Sequence, residues 1–213
     1  MRYCAASDRS LLVSFGPETP DEISSKNRLL VENLTRKLVE AKPCGILNVH
    51  PAYASVLVVF DPLTLDHQGV QHLCESTGDA PATEPRTVVI PVHYGGERGP
   101  DLADVARHAR MTSEEVVRLH CGADYVVHFL GFSPGFPYLG GMPESIATPR
   151  LSSPRVRVPA GSVAIGGGQT GVYPSDAPGG WRIIGWTPMK LFDPEADPPA
   201  LLTMGSHVRF EAA

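Results

Sequence analysis

The sequence predicts an α+β protein in two parts, a small α/β lobe over residues 1–78 and a barrel of short strands over residues 87–213. Three observations lead there. Helix-start signals and amphipathic spacing alternate with apolar runs in the first part. A polar, proline-containing stretch, residues 79–86, reads as a linker. Beyond it, short apolar runs are separated by glycine and proline turns, the pattern of an all-β barrel.

Taken in order, Leu11–Phe15 reads as a strand. Thr19-Pro20-Asp21-Glu22 predicts a helix start, with a threonine N-cap, proline at the first helical position and glutamate three residues after the cap. The helix runs to about Ala41, with Ile23, Leu30, Leu34 and Leu38 near helical spacing, and Pro43 and Gly45 end it. Ile46–Val49 and Ser55–Phe60 are strands, and a second helix spans Asp66–Ser76. Two βαβ-like passes make this lobe a small ferredoxin-like layer. In the second part a strand opens at Thr87 and ends near Val92, and Asp101 caps a helix through Ala109. Thr112-Ser113-Glu114-Glu115 is a capping box for a helix to about His120. Strands follow at Tyr125–Leu130, Ser162–Ile165, Arg182–Ile184 and His207–Phe210.

The formal net charge of -5 argues against a nucleic-acid partner. No apolar run reaches bilayer length, and Met1-Arg2-Tyr3-Cys4 does not open a signal peptide, so no membrane and a cytoplasmic location are expected. Cys4, Cys44, Cys74 and Cys121 are far apart and read as reduced, buried small hydrophobes. Neither cysteines nor histidines show ligand spacing, so no metal site is expected.

The chemistry is sought in the glycine- and proline-rich stretch after Tyr125. Gly131-Phe132-Ser133-Pro134-Gly135 matches a nucleophile elbow, but Pro134 has no N–H to donate to an oxyanion, and Pro137, Gly140 and Gly141 forbid the following helix. Gly166-Gly167-Gly168-Gln169-Thr170-Gly171 matches a dinucleotide fingerprint without its helix, leaving an anion-cradling glycine turn or a tight turn between strands. No phosphate-binding P-loop is present. His120, directly before the barrel strand, is either a helix-end residue or an acid/base group, and His128 lies inside that strand. Arg150, Arg155 and Arg157 follow or neighbour prolines, so their guanidinium forks either meet an anion or pair with a partner or solvent. Ser162, Gln169, Thr170 and Tyr173 supply neutral donors close by. Phe132, Phe136, Tyr138 and Trp181, with Pro134, form either core or an interface rim.

Together these residues resemble the B-subunit family of ATP-dependent 5-oxoprolinase, whose members are also described as allophanate hydrolase subunit 1 and as a sporulation-kinase inhibitor. The resemblance rests on Tyr94-Gly95-Gly96 and Gly99-Pro100-Asp101-Leu102, on Gly131 to Gly140, and on Pro149-Arg150 and Pro154-Arg155. It continues through Val158 to Ile165, Gly167 to Pro174 and Pro178-Gly179-Gly180-Trp181. It covers the whole chain in layout and the later two-thirds in motif. Trp186 stands where the family commonly has arginine. The resemblance implies a cyclophilin-like barrel related to part of the carboxyltransferase domain of urea carboxylase. It also implies a site completed by a homologous C subunit, with a third subunit and ATP, that opens 5-oxoproline to glutamate. Arg150 and Arg155 would then bind anionic groups, Ser162 and Gln169 would orient the amide, Tyr173 would wall the pocket and His120 would serve as acid or base. Phe132, Pro134, Phe136, Tyr138, Thr170 and Trp181 would contact substrate or partner. The family alternatives are a non-catalytic inhibitor docking on a sensor histidine kinase, and a component of an allophanate hydrolase or urea carboxylase.

Overall fold

The computed structural model describes residues 1–16, 25–76 and 86–213. The predicted helix start at Thr19–Glu22 and all of the predicted linker but Arg86 lie outside the described residues. The chain divides into two compact units, residues 1–84 and 85–213.

In the first unit, strands β1 (Arg2–Ser7), β2 (Ser10–Ser14), β3 (Ile46–Pro51) and β4 (Ser55–Phe60) form one antiparallel sheet in the order β1-β2-β4-β3. Helices α1 (Ser25–Ala41) and α2 (His67–Ser76) complete the unit. Alternation places Leu11 and Val13 of β2, and Val56, Val58 and Phe60 of β4, on the buried face. Helical spacing brings Val31, Leu34 and Leu38 of α1 inward. Asp66 caps α2 by accepting from the Gly69 amide at 2.7 Å. Strands β2 and β3 run parallel on either side of β4 and are joined by α1, which is the split βαβ of a ferredoxin-like layer. The fourth position is filled by β1, through a hairpin preceding β2. Arg-Tyr-Cys-Ala-Ala-Ser hides this strand from a pattern search, because at the sheet edge nearly every residue is exposed. Cys4 and Cys44 are exposed, contrary to expectation, whereas Cys74 is buried and Cys121 partly so.

The second unit contains β5 (Thr87–Tyr94), α3 (Leu102–Ala109), α4 (Ser113–Cys121), β6 (Tyr125–Leu130), β7 (Pro137–Gly140), β8 (Arg155–Val158), β9 (Ser162–Gly166), β10 (Gln169–Val172), β11 (Ala177–Gly179), β12 (Arg182–Trp186) and β13 (His207–Ala212). Seven of these strands close a barrel in the order β10-β7-β6-β13-β5-β12-β9, while β8 and β11 pair as a separate ribbon. The fold class is therefore the α+β expected. Ile90, Val127, Leu139, Ile165 and Ile184 fill the barrel core, and Val105 of α3 and Val116 of α4 belong to the same core. Strands β5 and β13 pair in parallel, whereas the other strand pairs among the described residues of this unit are antiparallel. The predicted capping box is present: Thr112 Oγ1 accepts from Glu115 N at 3.2 Å, and Glu115 Oε2 accepts from Thr112 N at 2.8 Å. Asp101 precedes α3 as predicted, but its side chain makes no cap hydrogen bond; its carboxylate is committed elsewhere.

Candidate functional site

Outside the main core, Phe136, Val158, Ala164, Tyr173, Trp181 and Ile183 form a second buried cluster, which joins the β8–β11 ribbon to strands β9 and β12. Phe136 is its centre. Its ring meets Tyr138 at 5.2 Å, Tyr173 at 5.1 Å and Trp181 at 5.5 Å, each edge to face. Gly179 makes room for this: a Cβ there would lie 2.2 Å from the Tyr173 hydroxyl.

The cluster reaches solvent through the loop before β7. That loop is tied at its base by Gly131 N to Phe136 O at 3.1 Å, and internally by Phe136 N to Ser133 O at 3.0 Å. Phe132 adopts φ +67°, a left-handed conformation that costs a bulky residue energy. It is 59% exposed, with its ring against Phe136 and Tyr173. Pro134 is exposed on the same loop, and the helix that a nucleophile elbow needs does not follow. Arg150 is exposed and lies over Trp181, 5.7 Å from the ring centroid. Burial raises the Tyr138 and Tyr173 hydroxyls above their usual range, tempered by the Arg150 charge. Both therefore remain neutral donors. The result is an aromatic shelf with a guanidinium at its edge, suited to a flat polar group carrying a negative charge.

Arg155 is anchored beside this shelf. Its Nη2 lies 2.8 Å from Asp101 Oδ1, while Asp101 Oδ2 accepts from Ile183 N at 2.7 Å. The Gly99 turn delivers Asp101 to this place; a Cβ on Gly99 would lie 2.2 Å from Ile184 O, so only glycine lets the turn press onto β12. Asp101 was legible as a helix cap and not as the acceptor that fixes Arg155. Arg182 is held in the same neighbourhood by Asp104 at 3.3 Å, and Arg157 pairs with Asp176.

Arg150 and Arg155 both act electrostatically on Tyr173. Ser162, Gln169, Thr170 and His120 are not gathered with them. Ser162 and Gln169 are buried at opposite ends of the β9–β10 hairpin, with Gln169 opposite Gly166 and Ser162 O accepting from Tyr173 N. The glycine run is a tight turn between these strands. Its Gly167 amide is used by Thr148 O at 2.8 Å, so that amide is not open to an anion.

His120 is fully buried among the barrel's aromatics, not at a surface, and this corrects the acid/base expectation. Thr170 is likewise inside rather than on a ligand face. The two are linked: His120 Nε2 is 2.9 Å from Thr170 Oγ1, which donates to Ala164 O at 3.0 Å. Since the threonine proton is spent on that carbonyl, Nε2 carries the imidazole proton, and Nδ1 accepts from Tyr94 Oη at 2.7 Å. Cys121 Sγ donates to Tyr94 Oη at 3.5 Å. Burial holds the His120 pKa down at about 3, so the ring is neutral at ordinary pH. Among the described residues no group of three or more His, Cys, Asp or Glu could hold a metal ion, and no helix is long and apolar enough to cross a membrane.

The comparisons agree with this architecture. The model of the carboxyltransferase domain, subdomain C and D, matches residues 1–202. A protein of Escherichia coli O157:H7 named as the B subunit of 5-oxoprolinase is 45% identical over 91% of this chain and 88% of its own length. A protein of the same name from Bacillus subtilis strain 168 is 39% identical over 95% of this chain and 89% of its own. The crystal structure of TTHA0988 superposes with a TM-score of 0.87 at 36% identity, covering 97% of this chain but only 40% of that longer one. With its barrel, its lobe and its motif series accounted for, the chain belongs to the carboxyltransferase domain family, subdomain C and D, among the relatives named as 5-oxoprolinase B subunits.

Proposed function

We propose that this chain is the B subunit of an ATP-dependent 5-oxoprolinase, which opens 5-oxo-L-proline to L-glutamate together with a homologous C subunit and a third subunit. The observation that carries the reading is the aromatic shelf edged by Arg150. The ring of 5-oxoproline is flat and its carboxylate is anionic, matching the exposed Phe132 for the ring and Arg150 for the charge. A lactam resists water, and phosphorylating its oxygen by ATP makes the carbonyl carbon electrophilic. Water then adds there and the C–N bond breaks, leaving the side-chain carboxyl as an acyl phosphate. A second water releases phosphate from it to give glutamate, while ADP is the other product. The neutral, partly exposed Tyr138 hydroxyl is a donor for the developing oxyanion. The shelf is open to solvent at Phe132 and Arg150, which supports a site completed by another subunit. ATP is assigned to the complex, since the chain has no P-loop.

Co-expression with the neighbouring subunits, followed by coupled measurement of glutamate and ADP release, tests the reading. Arg150→Gln is expected to lower kcat/KM by about 100-fold, as loss of a charge-assisted contact does, with an unchanged melting temperature because Arg150 is exposed. A folded complex without ATP-dependent glutamate release refutes it. The exposed Phe132 beside Pro134 also favours a second reading, docking onto a histidine kinase without chemistry. Retention of kinase helical domains by wild-type protein but not by Phe132→Ala, in a chain inactive on 5-oxoproline, would select it.

A further inference from the structure

The barrel carries a hollow of about 740 Å³ remote in sequence from the aromatic shelf, where the parallel strands β5 and β13 end and α4 lies alongside. Its size falls in the range of small-molecule sites, and barrel mouths are a recurrent location for them. Leu102, Val117 and Phe210 give it an apolar lining. Tyr94 and Cys121 add a hydroxyl and a thiol, and these are the outer end of the hydrogen-bond chain through His120 to Thr170. That chain holds the Tyr94 hydroxyl in one orientation, so this part of the lining is preorganised. Arg118 and Glu211 also line the hollow. Neither side chain has a hydrogen-bond or ion-pair partner among the described residues.

We infer that this hollow binds a free α-amino acid with an apolar side chain. Charge complementarity carries the assignment. Arg118 offers a fork for a carboxylate, Glu211 an acceptor for an ammonium group, and the apolar residues a place for the side chain. Glu114, a second carboxylate at the hollow, disfavours acidic side chains, so glutamate and 5-oxoproline are poor ligands here. The site is therefore separate from the proposed catalytic one and does not depend on that assignment.

The test is isothermal titration calorimetry of the full chain with L-leucine, beside 4-methylpentanoate and 3-methylbutylamine, which lack the ammonium and the carboxylate respectively. L-Leucine is expected to bind saturably with a Kd in the high-micromolar to low-millimolar range, and each analogue at least tenfold more weakly. Arg118→Gln should weaken L-leucine about tenfold and leave the amine unchanged. Ala212→Phe, at an exposed position that lines the hollow, should abolish binding without lowering the melting temperature of the free protein. Absence of saturable L-leucine binding by wild-type protein overturns the inference. So does binding that survives Ala212→Phe, or analogues that bind as tightly as the amino acid. If Ala212→Phe unfolds the chain, amide chemical-shift changes decide: perturbation at Val117, Cys121 and Phe210 supports the site, and perturbation confined elsewhere overturns it.

Discussion

Replacing His120 by glutamine should remove a large part of the protein's acid sensitivity above pH 5. The ring is fully buried and its pKa is about 3 in the folded chain, against an ordinary value of 6.5. Between these values the unfolded chain holds one proton more than the folded chain, so stability falls as pH falls. Above about 6.5 the imidazole is neutral in both states and contributes no pH dependence. A simple one-site treatment puts the loss between pH 7 and pH 5 at about 2 kcal/mol, rising towards about 5 kcal/mol near pH 3. Carboxylates add their own dependence mainly below pH 5 and are common to both proteins. Urea denaturation of wild type and His120→Gln at pH 7, 6 and 5 isolates the imidazole. The variant will be less stable at pH 7, because its side chain cannot fill the ring's place against Phe210 and Tyr125. Its stability should nevertheless decline less than wild type's on going to pH 5. Two curves running parallel across that interval would refute the assignment of a neutral, buried imidazole to the barrel core.

Three further outcomes follow from packing and pairing. Asp101→Ala leaves the Arg155 guanidinium and the Ile183 amide without their shared acceptor, and should cost about 2–4 kcal/mol in urea denaturation. Gly179→Ala drives a methyl group towards the Tyr173 hydroxyl and should cost about 1–3 kcal/mol, with an altered tyrosine near-ultraviolet signal. Thr112→Ala removes half of the α4 capping box and should cost about 1 kcal/mol, with earlier hydrogen exchange of the Glu115 amide.

The elements that announce themselves in sequence are those with a clean period or a complete cap. Strand β4, with its alternating Val56, Val58 and Phe60, and helix α4, with its capping box, lie where they were expected. The strands that escaped are short and chemically disguised. Strand β7 opens on proline, β10 contains glycine, and β11 is Ala-Pro-Gly, so none shows alternation; they exist because barrel neighbours supply the pairing. The candidate site was legible in its residue types. Phe132, Phe136, Tyr138, Tyr173, Trp181 and Arg150 do meet. Its misreadings came from residues whose role depends on which way a strand faces. Thr170 and His120 turn into the barrel, and Ser162 and Gln169 are separated by the length of a strand whose direction one-dimensional proximity conceals. Asp101 carried a local signature, the helix start, that masked its long-range duty to Arg155 and Ile183.

The parallel seam between β5 and β13 has a bearing on biosynthesis. Strand β13 sits between β5 and β6, yet more than a hundred residues separate β13 from β5 along the chain. A nascent polypeptide therefore emerges from the ribosome with β5 and β6 synthesised early and the strand that bridges them still to come. Until then both present unsatisfied backbone edges, which are templates for mispairing. The gap closes only when residues 207–212 are free to slot in, so the barrel cannot close until β13 has left the ribosome.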